Sequence, residues 1–175
     1  MCKKAFFSFL VLLSSQAFVY AAESAPALAT SKAKAYSLVA SGKLSEAAAI
    51  EDKLIADNSG DPCLPKVVSD IAGYHAGTLC YDYLGHYDYG RAKILYNRLI
   101  QLYPQSDYAK EAGLKIAALD ILAVVETGKE DAAENAINQF IANNTGKPYF
   151  AGALYDIAYE YSRGRHFDPC VGAAA

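Results

Sequence analysis

From Ser31 onward the apolar residues fall in Ala-rich or Tyr-rich blocks of helical length, separated by short polar turns. No alternating apolar run is long enough to argue for a strand. The blocks predict helices over 31–41, 45–57, 65–84, 88–103, 106–127, 130–143 and 148–163, with an eighth opening near Asp168. The punctuation agrees. Ser45 and Asp88 are side chains able to cap the second and fourth helices, and Ser106 opens the next after Pro104. Gly146 closes one helix, Pro148 suits the first turn of another, and Asp168-Pro169 reads as a cap followed by a first-turn proline. Asn58 to Pro62 is a loop by composition.

The turns align with one another. Gly42–Ala47, Tyr87–Ala92, Gly128–Ala133 and Arg165–Cys170 each end in a small residue (Ala47, Ala92, Ala133, Cys170) that lets one helix lie close against the one before. Successive turns are separated by 45, 41 and 37 residues. A chain of paired helices with recurring turns is the pattern of a helical repeat.

One stretch carries the pattern most fully. From Leu79 to Pro104 it reads LCYDYLGHYDYGRAKILYNRLIQLYP. Leu79-Cys80-x-x-Tyr83, a turn at Gly85, Tyr89, Ala92-x-x-x-Tyr96, Leu99 and the closing Pro104 resemble a tetratricopeptide repeat. In the last unit Ile157-Ala158-x-x-Tyr161 matches Leu79-Cys80-x-x-Tyr83. The run Arg91-Ala92 … Tyr96 … Leu99 … Tyr103-Pro104-x-Ser106 is similar to tetratricopeptide proteins of the bacterial envelope, such as an outer-membrane assembly lipoprotein and a partner of the Tol-Pal system. The resemblance implies an all-α fold, an α-solenoid of antiparallel helix pairs with about three and a half repeats over residues 31–175, the last incomplete. It assigns Leu79, Cys80, Tyr83, Tyr89, Ala92, Tyr96, Leu99, Pro104, Ala158 and Tyr161 to packing within and between repeats.

The N-terminus reads differently. A basic start at Lys3-Lys4, an apolar stretch from Ala5 to Tyr20 and small residues at Val19-Tyr20-Ala21 form a cleavable signal peptide over residues 1–21. Residues 22–30 are expected to be a flexible segment. No Cys follows the apolar stretch directly, so no lipid anchor and no membrane insertion are expected after cleavage. The product is then periplasmic or secreted. Cleavage removes Lys3 and Lys4 and leaves a net charge of about −5 with no basic run, which makes nucleic acid and anionic membrane poor partners. It also leaves three Phe and thirteen Tyr. The aromatic surface is therefore almost wholly tyrosine, whose apolar ring and polar tip suit half-exposed contacts.

No chemistry emerges from spacing. His86 and His166 sit beside turns. His75 and Cys80, on the helix expected over 65–84, lie about 140° apart around its axis. No His/Cys/Asp cluster has metal-ligand spacing, and no nucleophile elbow or phosphate loop is present. No cofactor is expected, and the chain reads as non-catalytic. Of the cysteines beyond the signal, Cys63, just before that helix, and Cys80, on it, would stand roughly 20 Å apart along its axis, too far for a disulfide. With Cys170 they make an odd number, which leaves at least one unpaired within the chain.

The expected function is a protein–protein interaction scaffold of the cell envelope. In this repeat class the first helix of each pair lines a concave face. Carried onto this chain, the resemblance points Tyr74, Tyr81, Lys115, Leu122, Glu126, Tyr155, Tyr159 and Arg163 toward a protein or peptide partner. The alternative is an accessory or terminal domain of a larger envelope enzyme or assembly complex. Self-association through the C-terminal end is a further expectation, because repeat stacks ordinarily need a polar cap.

Overall fold

The computed structural model describes residues 26–78 and 87–166, with side chains through Ser162. Seven α-helices and no strand occur among the described residues: α1 (Pro26–Ala40), α2 (Leu44–Asp57), α3 (Leu64–His75), α4 (Tyr89–Leu102), α5 (Asp107–Val125), α6 (Glu130–Asn144) and α7 (Phe150–His166). The fold is all-α. Consecutive helices α1 and α2, α3 and α4, and α5 and α6 pack as neighbours, and α4 also lies along α5. The odd-numbered helices touch in turn, α1 on α3, α3 on α5, and α5 on α7.

Small residues allow the close approaches. Ala47, Ala92 and Ala133, each just beyond a turn, are all buried. One core of Leu28, Leu54, Leu64, Ile71, Leu95, Leu99, Leu119 and Leu122, among others, joins α1 to α5. A second, of Ala118, Ile121, Phe140, Ala153 and Ile157, joins α5, α6 and α7. Burying apolar surface in this way is the main favourable term in folding.

Several boundaries differ from the expectation. α1 begins at Pro26, inside the segment expected to be flexible, because Leu28 on its first turn is fully buried. α2 is preceded by Lys43 with no side-chain cap, so Ser45 lies inside the helix rather than capping it. Asp88 and Ser106 do cap: their side chains accept hydrogen bonds from the backbone N–H of Arg91 (2.8 Å) and Ala109 (3.1 Å). Pro148 stands outside α7, which starts after Tyr149 in a left-handed conformation (φ 65°).

The largest correction concerns α3, which ends at His75 rather than Leu84. Gly77 adopts φ +76°, its N–H donates to the Tyr74 carbonyl, and the Thr78 N–H donates to the Gly73 carbonyl. This is a Schellman stop, and it requires the left-handed geometry that glycine tolerates best. The chain then returns so that the Asp88 N–H donates to the His75 carbonyl (2.9 Å). The continuous helix used above to separate His75 and Cys63 from Cys80 therefore does not exist. Leu79, Cys80, Tyr81, Tyr83, Gly85, His86 and the C-terminal Asp168–Cys170 cap all lie outside the described residues.

Candidate functional site

Two polar constellations stand out. The first is buried and joins α2, α3 and α4. Glu51 and His75 are both fully buried, with His75 Nε2 2.7 Å from Glu51 Oε1. The other Glu51 oxygen accepts from Arg91 Nε at 2.8 Å. Arg91 Nη2 donates to the Ala48 carbonyl (3.1 Å) and to Asp52 (2.6 Å), and Arg98 reaches the same Asp52 oxygen (2.5 Å). A carboxylate already paired with a guanidinium acts as an acceptor, so the imidazole presents Nε2–H to it. His75 Nδ1 is buried without a hydrogen-bond partner. Asp52 is held below its ordinary carboxyl value: burial opposes ionisation, but the hydrogen bonds and charges of Arg91 and Arg98 outweigh it.

Spacing from Cys80 gave no hint of this network. A local signal existed, since Glu51 sits on the apolar stripe of α2 between Ala47 and Leu54-Ile55, all of them buried. A carboxylate on such a stripe needs charged or hydrogen-bonding partners from neighbouring helices. The full burial of the Glu51–His75 pair leaves it no access to a substrate, and its geometry supports a tie between three helices.

The second constellation lies along the odd-numbered helices. Tyr74 is half-buried and stacks on Tyr36 of α1, with ring centroids 4.1 Å apart and planes 8° from parallel. Lys32 Nζ stands 5.7 Å from the Tyr36 centroid and donates to Asp70 (2.9 Å), which also pairs with Lys66 (2.8 Å). Lys115 bridges α5 to α7, donating to Asp156 (2.5 Å) and standing 3.4 Å from Glu111. Asp156 is nevertheless pushed above its ordinary value, because burial and the Glu111 charge outweigh the lysine. Glu126 is exposed and accepts from the Tyr89 hydroxyl (2.8 Å). Burial and that carboxylate together push the Tyr89 phenol up. Tyr155 is 61% exposed and stacks on the half-buried Tyr159, centroids 6.1 Å apart. Thr78, Tyr155, Asp156, Tyr159 and Glu160 line a narrow cleft where the end of α3 faces α7.

The eight expected partner-facing residues thus divide. Tyr74, Lys115, Glu126, Tyr155 and Tyr159 all keep some exposure. Leu122 does not: at 1% exposure it belongs to the core, because α3, α4, α6 and α7 all pack on α5. Tyr81 and the Arg163 side chain lie outside the described residues. Of the expected packing residues, Ala92, Tyr96 and Leu99 are buried and Tyr89 is half-buried, while Pro104 and Ala158 are exposed. Ala158 and Tyr161 line an open groove with Ile137, Ile141, Leu154 and Ile157, of about 480 Å³, between α6 and α7.

Among the described residues no group of three or more His, Cys, Asp or Glu could hold a metal ion, and no helix is long and apolar enough to cross a membrane. Cys63 is half-buried against the core in the α2–α3 connection, its N–H donating to Asp61 (2.7 Å). No family model, curated protein or solved structure matches the chain.

Proposed function

We propose that this chain is a non-catalytic scaffold of the bacterial envelope, built of tetratricopeptide-like helix pairs, that holds a protein or peptide along its odd-numbered helices. The observation that supports this reading most is the side-by-side row α1, α3, α5 and α7, which carries half-exposed tyrosines and inter-helix ion pairs beside its buried core. Aromatic rings with polar tips give contact area at low entropic cost, as extended or helical peptides require. Export through the signal peptide would place this face in the periplasm or outside the cell.

Cross-linking in the intact envelope followed by mass spectrometry tests the reading. A partner should attach near Tyr74, Tyr155 and Tyr159. Replacing the two α7 tyrosines by Ala should weaken the attachment while helicity persists. Attachment undiminished in that variant would remove the face from the interaction.

The α6–α7 groove favours a second reading, an accessory domain packed on a further helix. Ala158 is the small residue that the repeat pattern reserves for helix contact, yet it is exposed beside Ile141 and Leu154.

A further inference from the structure

The open α6–α7 groove has closed counterparts elsewhere in the chain. By the turn spacing expected from the sequence, Ala158 on α7 takes the place of Ile121 on α5 and of Ala35 on α1. Both counterparts are buried, and each lies on an odd-numbered helix with the following even-numbered helix packed on it, α6 on α5 and α2 on α1. Ala158 is exposed, on the odd-numbered helix that no described helix follows. The α6 wall of the groove tells the same story. By the same spacing Ile137 takes the place of Glu51 on α2 and Tyr96 on α4. Glu51 is closed over by His75 of α3 and Arg91 of α4, and Tyr96, on the helix that lies along α5, is buried as well. Ile137 is only half-buried, and with Ile141 and Leu154 it leaves apolar surface in a groove of about 480 Å³.

We propose that the occupant of this groove is the chain's own residues 167–175, folded back along α7 with the Cys170–Ala175 run laid over Ala158. Three properties of that segment, which lies outside the described residues, favour it. Pro169 follows α7 almost at once. Its ring would clash with the carbonyl four residues back and it has no N–H, so α7 does not run straight on past it; Asp168 before it is turned from helical geometry too. The reach suffices: Ala158 lies about 12 Å back along the α7 axis from His166, and residues 169–175 span about 10 Å as a helix and up to about 23 Å extended. The chemistry fits as well. Cys170-Val171-Gly172-Ala173-Ala174-Ala175 carries no charge and only small side chains, and small residues allow the close helix approaches at Ala47, Ala92 and Ala133. A segment joined to α7 by a few residues meets the groove at an effective concentration in the millimolar range, which favours it over a second copy or a separate helix.

The proposal does not rest on the scaffold reading, and tyrosine cross-linking can succeed or fail whatever this segment does. Hydrogen exchange of the purified chain, resolved to peptides by mass spectrometry, tests it. Amides of residues 170–175 should exchange at least about tenfold more slowly than in the same peptide free in solution. Ala158→Arg, at an exposed position, should bring them within about twofold of the free rate while the amides of α1 to α5 keep theirs. Ala158→Ser should leave the protection in place. In a methyl-labelled chain, nuclear Overhauser contacts should join the Val171 methyls to those of Ala158 or Leu154. Exchange of residues 170–175 at the free rate, Val171 methyls without contact to α7, or protection undiminished in Ala158→Arg would each overturn the inference. Protection that fades on dilution would overturn it too, and would assign the groove to a second copy of the chain.

Discussion

Replacing Glu51 by Ala should be among the most destabilising single changes in this chain. The carboxylate lies at 0% exposure and accepts from His75 Nε2 and Arg91 Nε. Its removal strands two donors. The imidazole is fully buried, and turning its proton to Nδ1 would not help, because Nδ1 has no partner either. Arg91, whose side chain is only 11% exposed, keeps Asp52 and the Ala48 carbonyl. Each unsatisfied buried donor costs about 1–3 kcal/mol, and breaking a buried ionic pair costs about 3–5 kcal/mol. The retained Arg91 contacts place the expected loss near the lower end, about 3 kcal/mol. Against a total of roughly 5–15 kcal/mol that is a large share.

Urea unfolding followed by far-ultraviolet circular dichroism measures it, with the slope m checked for constancy. Glu51→Gln keeps one acceptor but turns an amide N–H₂ toward a donor, and should lose about 1–2 kcal/mol. In the double variant Glu51→Leu with His75→Leu, the buried carboxylate and imidazole disappear together. The double should therefore be less destabilised than the sum of the singles by at least about 1 kcal/mol. A Glu51→Ala loss under about 1 kcal/mol at unchanged m would show that water reaches the carboxylate in solution. Strictly additive singles would show that Glu51 and His75 are not a coupled pair.

Two further outcomes follow from the same geometry. Asp52, held below its ordinary 3.8 by Arg91 and Arg98, contributes stability that is present above that value and is lost as pH falls through its lowered folded value. Asp52→Asn should therefore flatten the acid limb of a stability–pH curve below about pH 4, by about half a kcal/mol or less because the side chain is 47% exposed. An acid limb of unchanged slope would count against the Arg pairing. Gly77→Ala should cost clearly more than Gly128→Ala in the same unfolding assay. Both glycines have positive φ, worth about 1–2 kcal/mol for a side chain, but a Cβ at Gly77 would also overlap the Tyr87 ring whereas Gly128 faces open space. Equal losses would mean that Tyr87 does not pack over the turn.

The helices were legible because their period and punctuation are local properties. Asp88 and Ser106 sit directly before apolar blocks, and the caps they make depend on nothing distant. The end of α3 was not legible in the same way. Apolar residues continue past Gly77 through Leu84, so periodicity reads through a stop that depends on a single left-handed residue. The buried Glu51–His75–Arg91 tie was visible only as an anomaly, a carboxylate on an apolar stripe. Naming its partners requires knowing that α3 and α4 lie beside α2. Lys115 and Asp156 are 41 residues apart and meet because α5 packs on α7, which neither local sequence encodes.

Leu122 and Tyr159 show how position in the row changes what a residue does. The turn spacing expected from the sequence would give them the same place, one interval of 37 residues apart. In α5 that place is closed, since α3, α4, α6 and α7 all pack on this helix, and Leu122 is buried. In α7, flanked by α5 and α6, it remains half-open, and Tyr159 stacks with Tyr155 there. A hydrophobe suits the interior of the row and a ring with a polar tip suits its last described helix. The same argument explains Ala158, whose counterpart Ile121 is 6% exposed while Ala158 itself lies open in the α6–α7 groove. Among the described residues, the cleft of Tyr155 and Tyr159 and the groove of Ala158 and Tyr161 share no lining residue. A helix packed into the groove would therefore leave the tyrosine cleft in place, so an accessory domain and a peptide-binding face are compatible in one chain.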